Sequence, residues 1–183
     1  MKKLFFLSAL LITIQVNAQV TKVILQASGL TCSMCSNAIN KALKSVEYVD
    51  KVVADIKTSS FTMTFKPGAA VNFDQLKKKV EDAGFFVAKF NATMTLDQVK
   101  LEEEAHVNIG GVMYHFLNIK DHTLEGNVSV QVLDKGFVTA KEFKKNAVYT
   151  KMDCYKTGTA GSCCSKAGVQ TGTRIYHVTR VQG

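Results

Sequence analysis

The stretch GLTCSMCSNAINKALKSV, residues 29–46, decides how the first half of this chain folds. Before it, residues 21–28 carry Val23, Ile24 and Leu25 and read as a strand. Gly29, Leu30 and Thr31 then turn into a helix expected to start near Ser33. Along it Ile39, Ala42, Leu43 and Val46 fall at i, i+3, i+4 and i+7, which makes one apolar stripe. A strand, a tight turn and an amphipathic helix thus place Cys32 in an exposed loop and Cys35 in the first helical turn.

Working outward, residues 49–56 read as a second strand. In a third, Phe61, Met63 and Phe65 alternate with Thr62 and Thr64, so one face is buried. Pro67 and Gly68 end it in a turn. Asn72 is placed to cap a second helix, with Gln75 in the capping-box position. Phe73, Leu76, Val80 and Ala83 share its inner face, Lys77, Lys78 and Lys79 face mostly outward, and Gly84 suits a left-handed end. Residues 85–90 close the series as a strand. The order βαββαβ is the ferredoxin-like arrangement, an α+β fold with two helices on one face of a four-stranded sheet.

The chemistry sits at the turn. Two sulfurs spaced C-x-x-C across a helix start can converge, and the helix dipole with its free N–H groups lowers thiol pKa there. Thiolates are soft ligands, selecting Cu(I) or Zn(II) over hard cations. Two sulfurs suit nearly linear Cu(I), whereas zinc takes four ligands and this segment supplies two. Three rivals share the spacing: a structural disulfide, a thioredoxin-like oxidoreductase, and burial of two core cysteines. A tight C-x-x-C disulfide is readily reduced. The oxidoreductase surroundings, a neighbouring Trp and a Pro, are absent: the chain has no Trp, and its single Pro lies in a turn. Thr31 and Ser33 argue against a core position. Met34 is read as part of an apolar docking rim, with soft ligation as the alternative.

Residues 29–35, followed by an amphipathic helix and the Ala83-Gly84-Phe85 ending, resemble the heavy-metal-associated domain of copper chaperones and copper-pumping ATPases. The resemblance covers residues 21–90. It implies Cu(I) bound by Cys32 and Cys35, transfer to a docked partner such as a metal-transporting ATPase or a periplasmic metal protein, and Phe85 shielding the metal loop. Leu30 stands where the family commonly has Met, a residue that packs inward. No bond-making catalysis is implied; the alternative is a thiol–disulfide oxidoreductase using the same pair.

Residues 1–18 read as a secretory signal peptide: Lys2 and Lys3, an apolar run over 4–16, and cleavage expected near Ala18. The run is too short for a comfortable membrane span, so the expected product is periplasmic or secreted and not membrane-embedded. Loss of the two lysines takes the net charge from +8 to +6. The balance is basic, but export argues against a nucleic-acid partner and for an acidic protein or membrane surface. All five cysteines lie beyond residue 18, an odd number that leaves at least one thiol unpaired within a monomer.

The rest divides into a polar linker over 92–105, with a short helix at 96–103 capped by Thr95, and a mostly-β domain over 106–183. Candidate strands there are 112–119, 127–133 and 174–181, with a helix over 139–147. The pattern suggests a small, OB-like barrel. Met152, Cys154, Cys163 and Cys164 flank a Gly/Ser/Thr-rich loop. They form either a second soft-metal site, joined by His115 or His177, or a disulfide from Cys154 to one of the adjacent pair. His106 and His122 read as surface residues.

Overall fold

The computed structural model describes residues 19–30, 33–102, 104–120 and 123–181. The expected signal peptide, Cys32, Glu103 of the acidic run, and His122 lie outside them. Among the described residues no helix is long and apolar enough to cross a membrane.

The first half follows the sequence pattern closely. Strand β1 (Gln19–Ser28) leads to helix α1 (Ser33–Lys44), then β2 (Val49–Asp55), β3 (Ser60–Phe65), helix α2 (Phe73–Asp82) and β4 (Phe86–Lys100). The apolar stripe of α1 is buried at Ile39 and Leu43, and α2 buries Phe73, Leu76 and Val80. Asn72 caps α2, its side-chain oxygen accepting from the Gln75 N–H at 3.0 Å. Gly84 follows with φ +88°, a left-handed conformation that costs a glycine little. The sheet order β2-β3-β1-β4, antiparallel throughout, confirms the ferredoxin-like half.

The second half departs from expectation. Neither a linker helix nor a closed barrel forms. Strand β4 runs on to Lys100, through the segment read as a polar connector, and pairs with β7 (Thr123–Val132). The reason is in its alternation: Phe90, Ala92, Met94 and Leu96 are all buried, while the residues between them carry the polar side chains. From β7 the sheet continues to β8 (Ile175–Arg180), β6 (Val112–Phe116) and β5 (His106–Ile109), giving one eight-stranded sheet. Its two ends, β2 and β5, do not meet, so the OB-like barrel is replaced by extension of the first sheet through β4.

One core therefore spans both halves. Phe73 of α2 packs 5.0 Å from Phe90 and 5.0 Å from Tyr176 of β8, ring centre to ring centre. Tyr114, Phe116 and Val178 join the same cluster. Alternate residues on β6 and β8, namely Met113, His115, Ile175 and His177, point to the other face. A second layer covers that face: α3 (Ala140–Asn146), the short helix α4 (Cys154–Thr157) and a 3-10 turn over Ser162–Ala167. The parallel pair β6–β8 is thus buried on both sides, as parallel strands generally are. Thr139 caps α3 through a reciprocal capping box with Glu142.

Candidate metal centres

The first centre lies where β1 ends. Ser28 pairs with Phe86 of β4, and Gly29 follows with φ +86°. That conformation swings the chain off the sheet edge towards α1, which begins at Ser33 as expected. A side chain at Gly29 would lie 3.9 Å from the Phe85 ring, so Phe85 lies against the residue that follows β1. Leu30 packs partly buried on the core, as a residue facing inward should. Cys35 is half-buried in the first turn of α1, and that turn holds no acidic residue to oppose the helix dipole. Met34 is 81% exposed and Phe86 69% exposed, which makes an apolar rim beside the loop. Beyond Phe86 a cavity of about 780 Å³ is lined by Ser28, Gly136, Phe143, Lys144 and Lys156.

The second group of sulfurs gathers on the opposite face of the sheet, at its β8-β6-β5 end. Strand register sets its floor. His106 on β5 pairs with His115 on β6, and His115 pairs with His177 on β8, so three imidazoles stand in one row across three strands. His106 and His115 stack with ring centres 4.1 Å apart, and His115 meets His177 edge-on at 5.1 Å. His106, expected on the surface, is half-buried because this stacking covers it. Cys154 opens α4 directly above the row, with Sγ 3.4 Å from His177 Nε2 and 3.9 Å from His115 Nδ1.

The 3-10 turn brings in the adjacent pair. Cys163 and Cys164 have their sulfurs 3.4 Å apart, and all three thiols of Cys154, Cys163 and Cys164 lie within 4.8 Å of one another. Cys154 and Cys164 are buried and Cys163 is half-exposed. Met152 and Met113 pack against the same cluster. Asp134, which no motif singles out, anchors the arrangement: its carboxylate accepts from His177 Nδ1 at 2.6 Å, from the His177 backbone N–H at 3.3 Å and from Arg174 Nη1 at 2.9 Å. With Nδ1 turned to Asp134, Nε2 is the ring nitrogen that faces Cys154.

Burial and close contact shift the titratable groups of this cluster in different directions. Burial, with His106 and His177 alongside, pushes the His115 pKa down to about 3, so its ring is neutral, the form that ligates metal. Burial pushes the Cys154 and Cys164 thiols up. Burial also acts to raise Cys163, but hydrogen bonding from the Cys154 backbone and the neighbouring thiols outweighs it and holds this thiol below its ordinary value.

Comparisons with known proteins bear on the first centre. Residues 24–86 match the heavy-metal-associated domain. The mercuric transport protein periplasmic component of Serratia marcescens is 37% identical over 86 residues, 46% of this chain and 93% of that protein. A copper-exporting P-type ATPase of Staphylococcus saprophyticus is 34% identical over 61 residues, 33% of this chain and 8% of the ATPase. Among solved structures, oxidised MerP from Ralstonia metallidurans CH34 is 33% identical over 38% of this chain and 96% of that one, with a TM-score of 0.35.

Proposed function

This chain belongs to the heavy-metal-associated domain family, and from that premise we propose that Cys32 and Cys35 hold a soft ion, Cu(I) in the first place, and pass it on by thiolate exchange. The observation that carries the reading is the order of strand, left-handed Gly29 against Phe85, and helix, with Cys35 in the first turn of that helix. Such a turn favours thiolate over thiol, and two thiolates suit an ion of low coordination number. In this reading Cys32, expected in the loop before α1, meets the incoming or departing ion first, while Cys35 retains it through a three-coordinate exchange. The chain acts as a carrier outside the cytoplasm, periplasmic or secreted, with no bond made or broken in a substrate. A metal-transporting ATPase or a periplasmic metal protein is the partner, reached through the rim of Met34 and Phe86. Zn(II), needing four ligands, is disfavoured at this pair.

A second reading has its own support. The mercuric transport relative is matched over 93% of its length, so Hg(II), which also prefers two thiolates, is the alternative cargo.

Titration of the reduced protein with Cu(I) against a chromophoric chelator tests the proposal. We expect Cys32→Ser/Cys35→Ser to lose one equivalent relative to the unmutated chain. Equal uptake by both would remove Cys32 and Cys35 from metal binding. Loss of disulfide exchange with a model substrate in Cys32→Ser, with no Cu(I) uptake by the unmutated protein, would establish the oxidoreductase reading instead.

A further inference from the structure

The geometry points to a second metal centre in this chain, independent of the first: Cys154, Cys163 and Cys164 form a buried three-thiolate site for a thiophilic ion of the Cu(I) kind, with His115 and His177 as nitrogen donors beside Cys154. Four observations converge on it.

The spacing is that of ligands around one ion. A metal–sulfur bond of about 2.3 Å puts sulfurs roughly 3.8–4.0 Å apart in tetrahedral or trigonal geometry. The three sulfurs here, one pair at 3.4 Å and all within 4.8 Å, need shift only tenths of an ångström to reach it. Three sulfurs with no fourth thiolate in the group suit trigonal Cu(I).

The surroundings are those of a metal site as well. Asp134 fixes the tautomer of His177 and turns Nε2 to Cys154, the carboxylate–histidine arrangement that orients imidazoles at metal centres. His115 is buried and turns Nδ1 to 3.9 Å from the Cys154 sulfur, so a second imidazole nitrogen faces the group. Access is provided on one side, because Cys163 is half-exposed at the glycine-rich loop while Cys154 and Cys164 are sealed.

The competing arrangements account for less. Asp134, His177 and Cys154 also have the order of a nucleophilic triad. All three are buried, however, with Cys154 1% exposed, so a substrate cannot reach the sulfur. A disulfide from Cys154 to one of the adjacent pair leaves the third thiol, and the histidines, without a role.

The test uses the full chain carrying Cys32→Ser/Cys35→Ser, so that failure of the first centre does not affect it. The protein is reduced, exchanged into anaerobic buffer and titrated with Cu(I) alone against a chromophoric chelator, with X-ray absorption at the copper edge. One retained equivalent in a sulfur-dominated shell is expected. Adding Cys163→Ser/Cys164→Ser should abolish it while the circular dichroism spectrum of the fold persists. If that quadruple variant unfolds, the parent's stoichiometry and spectrum still decide. No copper retained by the folded parent, or a shell of nitrogen and oxygen, overturns the proposal. So does a Cys154–Cys163 or Cys154–Cys164 disulfide found by peptide mapping of protein isolated from its own compartment.

Discussion

Arg174, immediately before β8, grips Asp74, in the first turn of α2, a hundred residues earlier in the chain. Its Nε and Nη2 donate to the two carboxylate oxygens at 2.7 and 3.2 Å. The same guanidinium lies 4.1 Å over the Tyr176 ring and donates to buried Asp134 at 2.9 Å. One side chain thus ties the metal-binding half to the anchor of the histidine row. Truncating it leaves Asp134 short of its cation in a dry environment. Arg174→Ala should cost about 2 kcal/mol, less than a fully buried pair would, because Asp74 is 40% exposed. Urea unfolding at neutral pH measures this, and a loss under about 0.5 kcal/mol, the scale of ordinary surface changes, would refute the clamp.

The same contact predicts a pH dependence. Half-burial disfavours the Asp74 carboxylate, but Arg174 and the Tyr176 hydroxyl outweigh it and hold its pKa below the ordinary 3.8. A group with a depressed folded pKa contributes its full stability above the unfolded value and loses it as pH falls through the folded one. The stability gap between the unmutated protein and Arg174→Ala should therefore stay constant from neutral pH to about pH 4 and narrow below it. Unfolding curves collected through that acid range give the gap directly. A gap that widens on acidification contradicts the assignment.

Met94 tests whether β4 really joins the halves. It is 1% exposed, in the part of β4 that pairs with both Val20 of β1 and Val128 of β7. Met94→Ala should destabilise the protein by about 2–4 kcal/mol, from lost burial and the cavity left behind. The unfolding transition should remain single, since the core is shared. Two separated transitions would mean that the halves fold apart.

The first half was legible because its signals are local. Periodicity along residues 39–46, the Asn72 cap and the Gly84 stop each act within a few residues. Strand β4 was also written in the sequence, as the alternation of Phe90, Ala92, Met94 and Leu96, but the neighbouring acidic run masked it. What could not be read is register. His106, His115 and His177 stand in a row only because β5, β6 and β8 align, and β6 pairs in parallel with a strand about sixty residues later. No spacing announces that. Asp134 was invisible for the same reason: its partners, Arg174 and His177, lie forty residues and more away.

The rim of the first centre leads to the last prediction. Met34 and Phe86 are large apolar side chains left mostly in water beside the metal loop, where they gain nothing for the fold. Replacing both by Ala should change stability by no more than about 0.5 kcal/mol, the usual range for exposed positions. Cu(I) affinity at Cys32 and Cys35 should also hold, since neither side chain is among the proposed ligands. Docking should suffer, because apolar anchors at the centre of an interface typically contribute more than about 1 kcal/mol each. Transfer from the loaded protein to a thiolate-bearing acceptor domain should then slow by roughly tenfold, the equivalent of 1.4 kcal/mol, while exchange with a small chelator is unaltered. Stopped-flow measurement of both rates separates the outcomes. If both slow together, the rim protects the ion rather than recognising a partner.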